Sequence, residues 1–162
     1  MTASETALAA DRAALEAKTR AWVAGWHTSP EAPFAIEQIA DLYVHDHRLF
    51  SYDFGRPHSG VEGWDKAAPY YAGFMAIPRR WILTPGEDLR VTVQGDIAWT
   101  TLSLAGSGET QDGDPIDLPE ARVTLIFERQ GDGDWRIVHE HGSAAIPFPD
   151  PATTSRLLGE AA

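Results

Sequence analysis

Apolar positions recur through the first 26 residues at helical spacing. Leu15, Thr19, Trp22, Val23 and Trp26 fall at i, i+4, i+7, i+8 and i+11, one stripe of a 3.6-residue period. Asp11, Arg12, Glu16, Lys18 and Arg20 make the solvated face. The spacing predicts a helix over 4–26, with Thr2 and Glu5 as a capping box. Pro30 ends it, because proline pushes the preceding residue out of the helical region. A second, shorter helix is predicted from about Pro33, with Ile36, Ile39, Ala40 and Tyr43 inward. Leu49 to Phe54 reads as a short aromatic strand closed by Gly55 and Pro57. Ser59 and Glu62 form another capping-box pattern before Trp64, Ala67, Ala68, Tyr71, Phe74 and Met75, again at helical spacing. Pro69 makes that helix begin late or bend.

From Trp81 the period drops to two. Leu89, Val91 and Val93 alternate with polar residues, Gly95-Asp96 marks a turn, and Ile97 to Ala105 is the next strand. Gly106 to Leu118 reads as a polar loop or an extended hairpin tip. Ala121–Arg129 and Trp135–Ala144 flank a Gly-Asp-Gly-Asp turn, with Asp132-Gly133 as the expected central pair. Helices first and hairpin-linked strands afterwards define an α+β domain with helices on one face of a mostly antiparallel sheet.

The hairpin register sorts the last two strands by face. With Asp132-Gly133 as a two-residue turn, Gln130 faces Trp135, and Val123, Leu125 and Phe127 lie beside Gly142, Glu140 and Val138. This is the more apolar face, and Glu140 is its exception. A carboxylate there is paired with an arginine, sits at an open rim, or lines a wet cavity as an acid with raised proton affinity. The other face carries His139, His141, Arg122 and Trp135. Two imidazoles at strand spacing are an incomplete metal site, so no metal is expected. Trp22, Trp64 and Tyr71 are core aromatics, or pocket residues if they share one cavity.

Charge narrows the partners. Lys and Arg number 13 against 24 Asp and Glu, a net charge of −11, which repels phosphate backbones and anionic membranes. No cysteine is present, so disulfides, thiolate metal sites and cysteine nucleophiles are excluded. Apolar runs are too short to span a bilayer, and the N-terminus lacks the apolar centre of a signal peptide, so a cytoplasmic protein is expected. There is no G-x-S-x-G elbow, no dinucleotide fingerprint and no phosphate loop. One domain over 1–148 is expected, followed by a flexible Pro-rich tail over 149–162.

Three stretches carry a resemblance: the aromatic strand ending in Tyr52-Asp53, the Pro57-His58-Ser59-Gly60 entry to a helix, and Arg122–Phe127 with Trp135-Arg-Ile-Val-His-Glu-His-Gly-Ser143. Over residues 8–148 the chain resembles the SnoaL-like branch of the nuclear-transport-factor-two-like superfamily, which includes ketosteroid isomerases, polyketide cyclases and scytalone dehydratase. The closing run is also similar to the association domain of calcium/calmodulin-dependent kinase. The resemblance implies a cone, with a curved sheet around the N-terminal helix, a cavity at the open end and a homodimer. It puts Asp53 at the general-base position of the isomerases and Trp22 at that of their oxyanion-hole tyrosine. Their second donor, a protonated Asp, falls near Val123, where no acid stands; Glu140, across from Leu125, could substitute.

The expectation is a small-molecule isomerase or lyase acting on a carbonyl-bearing apolar ligand without a cofactor. Asp53 would remove a C–H proton, Trp22 and protonated Glu140 would steady the enolate, and Trp64, Tyr71, Leu125 and Phe127 would exclude water. The alternative is a non-catalytic ligand-binding or oligomerisation module of the kinase type.

Overall fold

The computed structural model describes residues 3–54 and 57–144. Thr2 and the expected tail over 149–162 lie outside the described residues. The elements are α1 (Ala3–Gly25), α2 (Glu37–Ala40), β1 (Phe50–Tyr52), β2 (Val61–Glu62), α3 (Trp64–Met75), β3 (Pro78–Pro85), β4 (Arg90–Gln94), β5 (Ile97–Thr110), β6 (Pro115–Arg129) and β7 (Trp135–Ala144). The strands form one sheet in the order β2-β1-β7-β6-β5-β3, with β4 sharing the outer edge of β5. Among the named strands only β1 and β7 run parallel. The sheet is curved, mixed and unclosed, and α1 packs against β3, β4 and β5. This is the α+β cone anticipated from the order of the elements.

The α1 stripe is buried as its spacing requires, from Leu15 through Trp26. Thr19 belongs to it because its hydroxyl donates to the Leu15 carbonyl at 2.8 Å and meets the Thr100 hydroxyl at 3.0 Å, so no polar atom is stranded. Among the described residues no helix is long and apolar enough to cross a membrane.

Three expectations change. The second helix shrinks to one turn, because residues 42–44 pair with β7 instead: the Val44 N–H donates to the Ile137 carbonyl and the Ile137 N–H to the Leu42 carbonyl. Tertiary pairing overrides the helical period, and Tyr43 becomes an extended residue facing the core. Ser59 and Glu62 form no capping box. Glu62 pairs with Phe50 in β2, and α3 starts after Gly63, whose φ of +84° is open to glycine at no steric cost. The helix begins at Trp64, five residues ahead of Pro69. Of the two readings of Gly106–Leu118, the structure shows the extended hairpin tip, since β5 and β6 run on to a turn at 111–114. Gly106 is a strand glycine for a packing reason: a Cβ there would sit 2.4 Å from the Trp81 ring.

The third correction concerns the last hairpin. The Gln130 N–H donates to the Asp134 carbonyl and the Gly133 N–H to the Gln130 carbonyl, each at 2.8 Å, so the loop has three residues with Gly133 at φ +86°. Phe127 therefore faces Ile137, not Val138, and Trp135 turns into the core. A bulge between Ile126 and Phe127 then adds the residue back. Beyond it the expected pairs hold: Ile126 with His139, Leu125 with Glu140 and Val123 with Gly142. One residue too few in the expected turn and one missed bulge cancel, so Glu140 does face inward.

Candidate functional site

A cavity of about 220 Å3 opens between α1, α3 and the inner face of the sheet. Trp22 and Trp26 come from α1 and its end, Phe74 and Met75 from α3, and Trp81 and Leu83 from β3. The tip of the β5–β6 hairpin adds Ile116, Asp117 and Leu118. Asp53 and Phe54 enter from the end of β1, and Glu140, His141 and Gly142 from β7. The wall is apolar apart from its acids and the histidine.

Glu140 is only 4% exposed, and no ion pair holds it among the described residues. Four neutral donors hold it. Its Oε1 accepts from the Ser51 hydroxyl at 2.8 Å and the Tyr71 hydroxyl at 2.6 Å. Its Oε2 accepts from the Tyr43 hydroxyl at 2.5 Å and the Trp22 indole at 3.2 Å. The Trp22 N–H is shared with the Tyr43 hydroxyl, 2.6 Å away. Each donor arrives from a different element, and the β1–β7 register sets Ser51 directly beside Glu140. Burial, and then the Glu140 charge, push the Tyr43 and Tyr71 phenols well above their ordinary range, so both remain donors.

Asp53 lies in the opposite situation. Its Oδ1 accepts from the Phe54 N–H at 2.7 Å, while the Tyr70 hydroxyl stands 3.5 Å from Oδ2, at the outer limit of hydrogen bonding. Burial, and next the Glu140 charge, raise its carboxyl to about 7. Burial, and next the Asp53 charge, push Tyr70 up to about 12. A carboxyl that exchanges its proton near neutral pH, at the wall of an apolar cavity, can act as a general base or acid.

The expected site residues divide. Asp53, Glu140 and Trp22 line one cavity. Tyr71 lies behind its wall, bonded to Glu140 and edge-on to Trp26. Leu125 and Phe127 are fully buried core residues and do not line it. Trp64 is directed elsewhere, stacked on His45 at 4.5 Å and tilted against Tyr43. The expected water-excluding wall is replaced by Trp26, Phe74, Trp81, Leu83 and the β5–β6 tip, because that hairpin extends over the cavity. Glu140 and Trp22, the groups expected to steady an enolate, have both carboxylate oxygens and the indole N–H engaged within the protein. The His139 Nδ1–H donates to the Phe50 carbonyl at 2.8 Å, and the imidazole stacks on the Phe50 ring. His141 packs edge-on to Tyr52. No group of three or more potential metal ligands is gathered among the described residues.

Sequence reasoning missed Tyr43, Ser51, Tyr70, Trp26 and Trp81. Ser51 was readable as the inward polar residue of β1, and Trp26 as the next turn of the Trp22 stripe. Tyr43 was not, because its strand-like pairing with β7 is tertiary.

A cone of this kind, with a helix-lined cavity at its open end, is the nuclear transport factor 2-like fold. The chain belongs to the SnoaL-like domain family, whose model matches residues 35–147. No curated protein matches it. Among solved structures it is similar to a nuclear transport factor 2-like superfamily protein from Salmonella enterica serovar Typhimurium, at 15% identity and a TM-score of 0.75, covering 89% of this chain and 97% of the other. A candidate dehydratase of the same fold from Streptomyces avermitilis aligns at 19% identity and a TM-score of 0.69, over 85% and 98%. A type 2 hexachlorocyclohexane dehydrochlorinase aligns at 19% identity and a TM-score of 0.70, over 91% and 98%. Likeness at these identities establishes the fold.

Proposed function

We propose that the protein is a cofactor-independent isomerase or lyase that removes a proton from carbon next to a carbonyl in a small, mostly apolar ligand. Asp53 is the base. The observation that carries this reading is a carboxyl on the wall of an apolar cavity with one short hydrogen bond to hold its charge. Its proton affinity, near 7, suits a group that must take a proton and return it. The aromatic wall keeps water from the carbanion. Elimination and isomerisation both need a proton taken from carbon, and the names of the dehydratase and dehydrochlorinase that share the fold agree with that much. Glu140 acts here by holding Tyr43, Tyr71 and Trp22 and by its charge, not as a proton donor to the ligand.

The test is hydrogen–deuterium exchange. A panel of neutral aryl and alicyclic ketones in heavy water should lose α-protons faster with the protein than with buffer. The rate should climb with pH through about 7 and then level. Asp53→Asn should slow it by at least about 10²-fold. Equal rates for the two proteins would remove the mechanism.

A second reading is favoured by one observation. The Trp22 N–H and both Glu140 oxygens are occupied internally, which suits a binding module that holds a ligand without turning it over. Binding without exchange would select it. In either case we propose a homodimer as the working assembly, which light scattering can check.

A further inference from the structure

Phe54 stands apart from the rest of the cavity wall. The other large apolar side chains that line the space, from Trp22 on α1 to Leu118 on β6, belong to the core or pack against it. Phe54 does neither, and it is 39% exposed. It borders the cavity and the solvent at once. Its backbone is better held than its ring, because the N–H donates to Asp53 Oδ1 at 2.7 Å.

The ring rests on a glycine. A Cβ at Gly142 of β7 would stand 2.7 Å from the far end of the Phe54 ring. Gly142 is not in the left-handed region, so the path of the chain does not call for glycine there. What the bare backbone permits is the close approach of the ring. With Phe54 in this place the cavity holds about 220 Å3. That is about seven waters' share of liquid at ~30 Å3 each, which a chain of roughly eight non-hydrogen atoms fills.

We propose that Phe54 is the residue that limits ligand length, its ring on Gly142 being the one movable part of an otherwise fixed wall. Neutral ligands of up to about eight non-hydrogen atoms bind with the ring in place. A longer one has to turn the ring out into water, and the apolar surface exposed in doing so offsets what the added carbons bury. The proposal rests on the reading of this cavity as the ligand site, but not on Asp53 acting as a base. It gives Gly142 a second role beyond the sheet, as the seat that lets the ring close over the cavity.

Straight 1-alkanols from butanol to decanol test this in the full-length protein. Affinity is read from tryptophan fluorescence, since Trp22, Trp26 and Trp81 line the cavity. In the parent it should rise about fourfold per CH2 up to about heptanol and then level. In Phe54→Ala the rise should run on for about two or three more carbons at the same slope. Gly142→Ala should also lengthen it, because the new methyl turns the ring away, yet it should add no length in the Phe54→Ala background. A merely structural role for either residue would not give that dependence. Where Gly142→Ala fails to fold, Phe54→Ala decides the matter, because it removes a ring that is not packed on the core. Levelling at one chain length with and without the Phe54 ring, a rise through decanol in the parent, a shorter limit in Gly142→Ala, or no heptanol binding up to its solubility would each overturn the proposal. Asp53→Asn separates this from the reading above. Ketone exchange that persists in that variant beside a Phe54-dependent limit counts against the base alone, and Asp53-dependent exchange beside a limit indifferent to Phe54 counts against the length limit alone.

Discussion

Glu140 and Asp53 are carboxyls in one cavity, on the parallel-paired strands β7 and β1 or just beyond them, and their surroundings treat them oppositely. Glu140 sits deep and accepts four hydrogen bonds from four separate elements. Asp53 sits at the wall with one short bond and one marginal contact, and the Glu140 charge presses its proton affinity further upward. Depth alone would therefore misassign the roles. The more buried acid is the better satisfied one, and the less buried acid is the one left able to react. Saturation of the hydrogen-bonding capacity separates a structural carboxyl from a chemical one.

The largest effect that would break this contrast is loss of the deep acid. Glu140→Ala leaves the Trp22 N–H and the Ser51, Tyr43 and Tyr71 hydroxyls without their common acceptor. A cost of about 3–5 kcal/mol is expected in urea unfolding, because several buried donors are stranded at once. A loss under about 1 kcal/mol would mean that the four bonds do not act as a unit.

The next effect reads Asp53 through pH. Its carboxyl titrates at about 7 in the folded protein against 3.8 ordinarily, so the folded state holds the proton more tightly. The stability this lends is fully present below about pH 4 and is lost as pH rises to about 7. At 1.36 kcal/mol per pH unit the ceiling is about 4 kcal/mol, and water reaching Asp53 at the cavity mouth lowers the expectation to about 2. Asp53→Asn, which carries no charge, should be more stable than the parent by about that amount at pH 8 and equal to it at pH 4. Urea midpoints across this range check the sign. Glu140→Gln sharpens the same contrast: with its charge gone, the pH at which ketone exchange levels should fall below 7.

A smaller effect separates the two indoles. Trp22→Phe and Trp26→Phe remove the same ring area, but only the first breaks bonds, those to Tyr43 and Glu140. Trp22→Phe should therefore cost about 1–3 kcal/mol more than Trp26→Phe in the same unfolding assay. Equal costs would mean that Trp26 has a partner within the fold.

How much of this was legible beforehand depends on whether local pattern or tertiary pairing decides each element. The α1 stripe and the bounds of β7 follow from periodicity and turn chemistry, and both stand. Glu140 was located as the polar exception on an apolar face, and the bulge at Val138 restored the register that the three-residue loop had shifted. The donors around it were not legible as a set. Tyr43 arrives by pairing of residues 42–44 with β7, which broke an apparent helical period, and no spacing in the chain announces it. The true wall was hidden for a similar reason. Gly106 and Gly108 look like loop residues in a polar stretch, but as strand glycines they let Trp81 and the backbone of β3 lie close over β5. A glycine needed for close approach and a glycine needed for a turn have the same composition.

The smallest effect concerns a third acid, which marks the far end of the scale. Asp46 is held by its neighbour Arg48, whose guanidinium meets both carboxylate oxygens at 2.8–3.1 Å and also reaches Glu128 at 2.7 Å. The Arg48 side chain and its backbone N–H lower the Asp46 carboxyl, the reverse of Asp53. Short distances and a full charge would suggest a strong contribution, but water competes at this exposed site and salt screens it. Asp46→Asn should therefore cost under about 1 kcal/mol in urea unfolding, and most of that should vanish in about 1 M salt. The neutral bonds to Glu140 should outweigh this ion pair severalfold, because no solvent stands ready to replace them. A surface pair that cost as much as Glu140→Ala would show that charge, not burial of satisfied donors, governs how this fold treats its acids.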